Sequence, residues 1–329
     1  MKRFFKNEQG SNIVIIALSM TAVLIMAAFV IDLGAAYVKT ADVQTAADAA
    51  VMAAGLQLPV AINDTVKQSS VTATVLEYLN KNGISDTSGV NVYFAETAND
   101  NYMRIGVDVP AVSPTAFAKI IGVDEVTFTR GAEARTIPTT SLNDLVPLSA
   151  REDVLNAIIA NGTTEHIILK YGKKTEEVVQ GAFGAIDLDG VKGGGANDYG
   201  SWLANGYQGD LTVGMVLPVE PGNMEGPTHT GISTRFNACT HFQSHGGCTA
   251  EHYVSDCPRV MKVPVVEYID THEVRIVGFA AFIIEDYTTY ADKGYVIGTY
   301  VDMVNIGASK GDLTGAAENF GVYSLTLSK

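Results

Sequence analysis

The sequence predicts an α+β protein carried on a single N-terminal membrane helix, and three observations lead there. Residues Ile13 to Ile31, IVIIALSMTAVLIMAAFVI, contain no charged side chain. An Ala-rich run without proline continues from Asp32 to Gly55. Beyond it, one stretch of helical spacing gives way to alternating apolar runs separated by glycine clusters. In chain order the pattern predicts a basic leader (1–11), a transmembrane helix (12–31), a stalk helix (32–58), a small α/β unit (60–137), a linker (138–148) and a mostly β exported domain (149–329).

The apolar run is long enough, at about 1.5 Å per helical residue, to cross a hydrocarbon core of roughly 30 Å. Lys2, Arg3 and Lys6 precede it against a single Glu8, and Asp32 closes its far end. Basic flanks stay in the cytoplasm, so the predicted topology is single-pass, N-terminus inside, with the bulk of the chain outside the cell membrane. The run exceeds the roughly 7–15 apolar residues of a secretory signal, and no small-x-small cleavage site follows. It is therefore expected to remain as an anchor. Gly10 stands where type IV prepilins are cut, but the glutamate expected at the fifth position after the cut is Ile15, so processing at Gly10 is not predicted.

The chain carries a net charge of -14. The first ten residues hold three basic side chains and one acidic, so the remainder holds 19 basic and 35 acidic, or -16. Such a surface lacks the Lys/Arg patches that displace counterions from phosphates, and this excludes a nucleic-acid partner.

From Asp32 to Gly55 the sequence is rich in the strongest helix former, so the membrane helix should continue out of the bilayer. Ala36, Thr40, Val43, Ala47, Ala50 and Ala54 recur at spacings of four and three, which lines small residues along one face. Small side chains let another backbone approach closely. That backbone is either a partner helix or the chain's own next domain, and spacing alone leaves both open. Gly55 and Pro59 end the helix.

Asp32, Leu33, Gly34, Tyr37 and the run Gln44, Ala46, Ala47, Asp48, Ala49 and Ala50, placed directly after a span, resemble the N-terminal segment of the TadE/TadG-like proteins of tight-adherence (Tad, or Flp) pilus assembly. The resemblance covers about the first fifth of the chain. It implies a membrane-anchored assembly component whose partners are other Tad pilus or secretion components, pilin-like subunits or a second copy of the chain. Larger members carry a von Willebrand A domain with a DxSxS metal motif. That motif is absent, so metal-dependent adhesion of that kind is not implied.

Residues 66–80 show helical spacing through Val71, Val75, Leu76 and Leu79, stopped by Asn82-Gly83. Val90–Ala95 and Met103–Val109 alternate around a polar turn and predict a hairpin. Pro114 to Ile121 reads as a short helix and Val126 to Arg135 as a strand, an order like that of pilin-type subunits. Ile137 to Ser141 is breaker-rich and opens the predicted linker. Ser149 to Glu152 matches a capping box that starts a helix over 150–160. Strands are expected at 166–170, 182–188, 211–217, 260–269, 274–284, 295–303 and 322–327. Runs such as VRIVGFAAFII are apolar on both faces, which predicts strands covered on both sides. The succession from FGAIDLDG to VGFAAFIIEDY is similar, more loosely, to the C-terminal region of TadG-related proteins.

The segment 229–257 concentrates the candidate chemistry: His229, His241, His245 and His252 beside Cys239, Cys248 and Cys257. The cysteines stand nine apart, without the close Cys-x-x-Cys pairing of a zinc knuckle. Outside the cytoplasm this predicts one disulfide among Cys239, Cys248 and Cys257, worth roughly 2–4 kcal/mol, with a third thiol left over. A metal site on His241, His245, Cys248 and His252 is the alternative, and no cofactor is expected. Asp187, Asp189, Asn197 and Asp198 offer oxygen ligands around a glycine-rich loop, but a twelve-residue calcium loop is incomplete there, so a solvated turn is expected. Enzyme signatures fail. Gly231-Ile232-Ser233-Thr234-Arg235 lacks the last glycine of a nucleophile elbow, and His272-Glu273 is followed by Ile276 where a zinc protease needs histidine. The expectation is a non-enzymatic assembly component. An anchored metal-dependent enzyme, or a ligand-binding or adhesive module centred on the Cys/His loop, is the alternative.

Overall fold

The computed structural model describes residues 9–98, 100–161, 166–171, 184–191, 195–222, 224–286, 294–305 and 318–328. Most of the basic leader, the start of the expected strand at 182 and the glycines at 193 and 194 fall outside these residues. The fold is mixed α and β, and the chain divides into two compact units, Met1–Arg135 with Leu327–Lys329, and Thr136–Thr326.

In the first unit a single helix, α1 (Gln9–Gly55), runs for 47 residues, or about 70 Å at the usual rise. Among the described residues it is the one helix long and apolar enough to cross a membrane. Its first half is unburied: the large side chains from Ile13 to Ile31 are 54–69% exposed on every face. Its second half behaves in the opposite way, with Val43, Ala46, Ala47, Ala50, Val51 and Ala54 at 0% exposure.

These small residues lie under α2 (Thr65–Lys81) and the four strands β1 (Val60–Ala61), β2 (Asn91–Ala98), β3 (Asn101–Pro114) and β4 (Glu125–Pro138). Helix α1 packs chiefly on α2 and β3. The stripe therefore resolves as an intramolecular seam. Val43, Ala47, Ala50 and Ala54 are covered by the chain's own unit rather than offered to a partner helix, and only Ala36 and Thr40 remain half-exposed. Single methyl groups allow this close approach, and Gln57 Nε2 donating to Thr74 Oγ1 at 2.7 Å ties the two helices near their shared end.

Asp64 caps α2 by accepting from the Lys67 N–H at 2.9 Å, and Val71, Val75 and Leu79 form its buried row, as the spacing predicts. Strand β3 is central, paired antiparallel with β1, β2 and β4. Met103, Ile105, Val107 and Val109 make its buried row. The hairpin strands extend beyond their alternating cores because β3 and β4 stay paired out to Pro114 and Glu125. This pairing also corrects the helix expected over 114–121: Pro114 belongs to β3, and only a 3-10 turn, Ala118–Ile121, follows.

The second unit holds β5 (Ser141–Leu142), β6 (Ala150–Arg151), α3 (Glu152–Asn161), β7 (His166–Lys170), α4 (Gly195–Asn205), β8 (Leu211–Thr212), β9 (Val216–Pro218), α5 (Glu225–Asn237), β10 (Val260–Tyr268), β11 (Glu273–Ile283), β12 (Val296–Val301), β13 (Met303–Asn305) and β14 (Val322–Leu327). Its main sheet has the order β6-β10-β11-β12-β7, with β9 added on β11. Both faces are covered, as the doubly apolar runs require. Met261, Val263, Val265, Ala280 and Phe282 pack with Leu155, Tyr199, Leu203 and Ile232 from the three helices. Val260, Val266, Val274, Ile276 and Ile283 pack into a second cluster on the other side.

Two expectations for this unit change. The stretch 138–148 is not a linker, since Leu142, Leu145, Val146 and Leu148 are buried and β5 pairs with β8. Its apolar residues outweigh its breakers once a second core is available to receive them. Helices α4 and α5 stand in a region whose sequence reads as β-rich and irregular. Their glycines disguised them: at Gly231 an added Cβ would lie 2.8 Å from Leu203, and at Gly200 it would lie 3.3 Å from Pro227. Glycine here serves the close contact of α4 with α5, despite its low helix propensity.

Replacing Ala50 by Leu should overpack the seam and destabilise the first unit by about 1–3 kcal/mol. Ala41→Leu, on the exposed side of α1, should change stability by less than about 0.5 kcal/mol. Thermal unfolding of both variants in detergent, followed by circular dichroism, checks the contrast.

Candidate functional site

Two constructions stand out, one where the apolar half of α1 ends in the first unit and one in the second unit. At the first, Asp32 immediately follows the apolar run and is buried. Its carboxylate accepts the N–H groups of Ala116 (2.7 Å), Phe117 (3.0 Å) and Ala118 (2.6 Å). These are the unpaired donors that open the 3-10 turn. Gly122, in the left-handed region at φ 89, closes it. The turn is thereby pinned to the first residue beyond the apolar stretch, with Ile120 and Ile121 left 84% and 81% exposed. Leu33, Tyr37 and Val38 are also exposed on α1. In the sequence Asp32 reads only as a topological charge; its role as a clamp on residues 116–118 depends on a contact that no spacing discloses.

The second construction brings together Cys239, His241, Cys248 and Cys257, whose Sγ and ring nitrogen atoms all lie within 4.8 Å of one another. The three cysteines are buried and unbonded to each other, which differs from the expected disulfide. Cys239 follows the end of α5, Cys257 comes three residues before β10, and Cys248 is delivered by the loop between. His241 Nδ1 is buried with no hydrogen-bond partner. Of the histidines in the expected metal set, only His241 joins the cysteines. His245 is exposed, with Nδ1 against Ser244 Oγ at 2.9 Å. His252 is exposed too, its ring 4.0 Å from that of Phe242.

Local structure explains the convergence. Gly246 and Gly247 have φ of 84 and 101, a reversal that delivers Cys248 inward. A Cβ on Gly247 would fall 2.6 Å from the Arg259 guanidinium. Arg259 is buried, donates to the carbonyls of Cys248 and Phe236, both at 3.3 Å, and lies over the Phe236 ring at 3.6 Å. Arg235 donates to Leu203 O at 2.6 Å and Pro258 O at 3.1 Å. Glu285 accepts from the Ala250 N–H at 2.9 Å and from Thr299 Oγ1 at 2.7 Å, tying the same loop to β12.

Charge in the cluster is unevenly shared. Burial opposes ionisation of Cys239, but the N–H groups of Cys248 and His241 and the thiols of Cys257 and Cys248 outweigh it and lower its pKa. Burial raises that of Cys257, against the N–H of Arg259, and the neighbouring sulfurs raise it further. The Cys239 sulfur also lies 3.7 Å from the carbonyl oxygen of His241.

The acidic loop is a turn. The Asp189 N–H reaches Asp187 Oδ1 at 3.3 Å and the Val191 N–H reaches Asp189 Oδ1 at 2.8 Å. Burial, with Asp189 beside it, raises the pKa of Asp187. Asn197 and Asp198 belong to the first turn of α4.

These features define an α+β protein with one N-terminal helix of membrane-spanning length and composition. Residues 10–57 match the family model described as Flp pilus-assembly TadE/G-like, so the chain carries a Tad domain that coincides with α1. That domain associates the chain with Flp pilus assembly. Comparison with curated proteins and with solved structures gave no match.

Gly247→Ala should lower stability by roughly 1–3 kcal/mol, because a Cβ there must adopt a left-handed backbone and displace Arg259. Gly226→Ala, in α5 with open space around it, should be neutral or gain up to about 1 kcal/mol. Chemical denaturation of both variants measures the difference.

Proposed function

We propose that this chain is a single-pass, N-inside membrane component of a Tad (Flp-type) pilus assembly or related surface-attachment system, with everything after Asp32 extracytoplasmic and a positional rather than enzymatic role. One observation carries the reading: the segment that matches the Tad model is the same helix whose apolar half is exposed all round. A helix with no polar face and no protein cover is stable only in lipid. The orientation follows from Lys2, Arg3 and Lys6 on the near side and Asp32 on the far side.

The proposed partners are other Tad components, pilin-like subunits or a second copy of the chain. They would meet the exposed side of α1 just beyond the membrane, at Leu33, Tyr37 and Val38, since the Ala seam is already occupied. Ile120 and Ile121, held beside Asp32, would rest in the headgroup region and fix the height of the first unit above the bilayer.

A photocrosslinking residue placed at Tyr37 or Val38 in cells assembling a Flp-type pilus should capture Tad components or pilin-like subunits, whereas one at Ala47 should capture none. Capture confined to proteins unrelated to pilus assembly would remove the proposed role. Protease added to spheroplasts should digest both units, and their survival would reverse the orientation.

A further inference from the structure

We propose that Cys239, His241, Cys248 and Cys257 form a structural zinc site that closes the loop between α5 and β10. The donor set carries the inference. Zinc takes four ligands in a tetrahedron from thiolate sulfur and imidazole nitrogen, with Zn–S near 2.3 Å, which makes the S···S edges about 3.8 Å. Four such atoms already lie within 4.8 Å of one another, so a contraction of about 1 Å at most brings them onto the ion. A disulfide would use two sulfurs and leave a buried thiol and the bare Nδ1 of His241 without partners. A single ion satisfies all four.

The surroundings fit a zinc thiolate centre. Backbone amides of Cys248 and Arg259 neighbour the sulfurs of Cys239 and Cys257, and the Cys239 sulfur lies 3.7 Å from the His241 carbonyl. Amide hydrogen bonds stabilise metal-bound sulfur and orient it. Three thiolates around Zn2+ leave one net negative charge, and Arg259, buried against the carbonyl of Cys248, supplies a nearby cation. On binding, each coordinating thiol passes its proton to solvent, so no oxidant or reductant takes part. Four protein donors leave no open position for substrate or water, which makes the site structural rather than hydrolytic. Its mechanical effect is to join the end of α5 to the start of β10 across an otherwise irregular loop. The inference concerns the second unit alone and does not rest on the pilus reading.

The test uses the full-length chain purified in detergent without chelator. Elemental analysis should find about one zinc per chain, intact mass under denaturing conditions should show three reduced cysteines, and a thiol reagent should react with them only after chelation. Cobalt added to the chelator-stripped protein should give the d–d and thiolate charge-transfer bands of a tetrahedral site. His241→Ala should weaken zinc binding at least about tenfold, because a direct ligand contributes more than the outer contacts whose loss already costs that much. His241→Cys should keep the metal. If ligand variants fail to fold, the wild-type mass and cobalt spectrum still decide. A metal-free chain two mass units lighter than the reduced form, or zinc bound unchanged in both His241→Ala and Cys248→Ser, would overturn the site.

Discussion

The structure depends on α1 satisfying two surroundings with one uninterrupted set of backbone hydrogen bonds. In a bilayer only a helix can keep every N–H and C=O paired within its own segment. The same 47-residue helix then enters a protein core without a break, and the change of medium is made entirely by side chains. Up to Ile31 they are mostly apolar and carry no charge, and the hydroxyls of Ser19 and Thr21 bond back to the helix's own carbonyls, which suits lipid. From Val43 onward the inward-facing ones are alanine and valine, suited to backbones that approach closely. Asp32 marks the boundary and uses its charge there, binding three amides of the turn at 116–118.

The second unit has a different logic. A sheet covered on both faces needs material on each, and short segments supply much of it: α4 and α5 on one side, the cysteine-bearing loop on the other, and the stretch 138–148 on both, through Val146 and Leu148 on the first and Leu142 and Leu145 on the second. Such segments have little intrinsic order. Buried Arg235 and Arg259 hold them by donating to backbone carbonyls of Leu203, Pro258, Phe236 and Cys248. These are charge-assisted bonds to backbone carbonyls.

Legibility in the sequence follows how local each determinant is. The span, α2 with its Asn82-Gly83 stop, and strands β10 and β11 declare themselves through periodicity, which needs no distant information. The Tad resemblance on Asp32, Tyr37, Gln44 and Asp48 was likewise local. What stayed hidden depends on long-range contacts. The Ala seam could face inward or outward until α2 and β3 were placed against it. The stretch 138–148 reads as a linker because Ile137 to Ser141 is short and breaker-rich, and the burial of Leu142 to Leu148 depends on a core that no local pattern shows. The convergence of Cys239, His241, Cys248 and Cys257 was obscured by their spacing; the clues available were Cys-x-His at 239–241 and the Gly-Gly pair before Cys248, and neither gives a distance.

The continuity of α1 from its apolar half into the core of the first unit is tested most directly by amide hydrogen exchange of the full-length chain in lipid nanodiscs. One unbroken helix predicts slow exchange from Ile13 through Gly55, including the amides on either side of Asp32. A fast-exchanging segment between Ile31 and Val38 would mean two helices joined by a hinge, and would contradict the account.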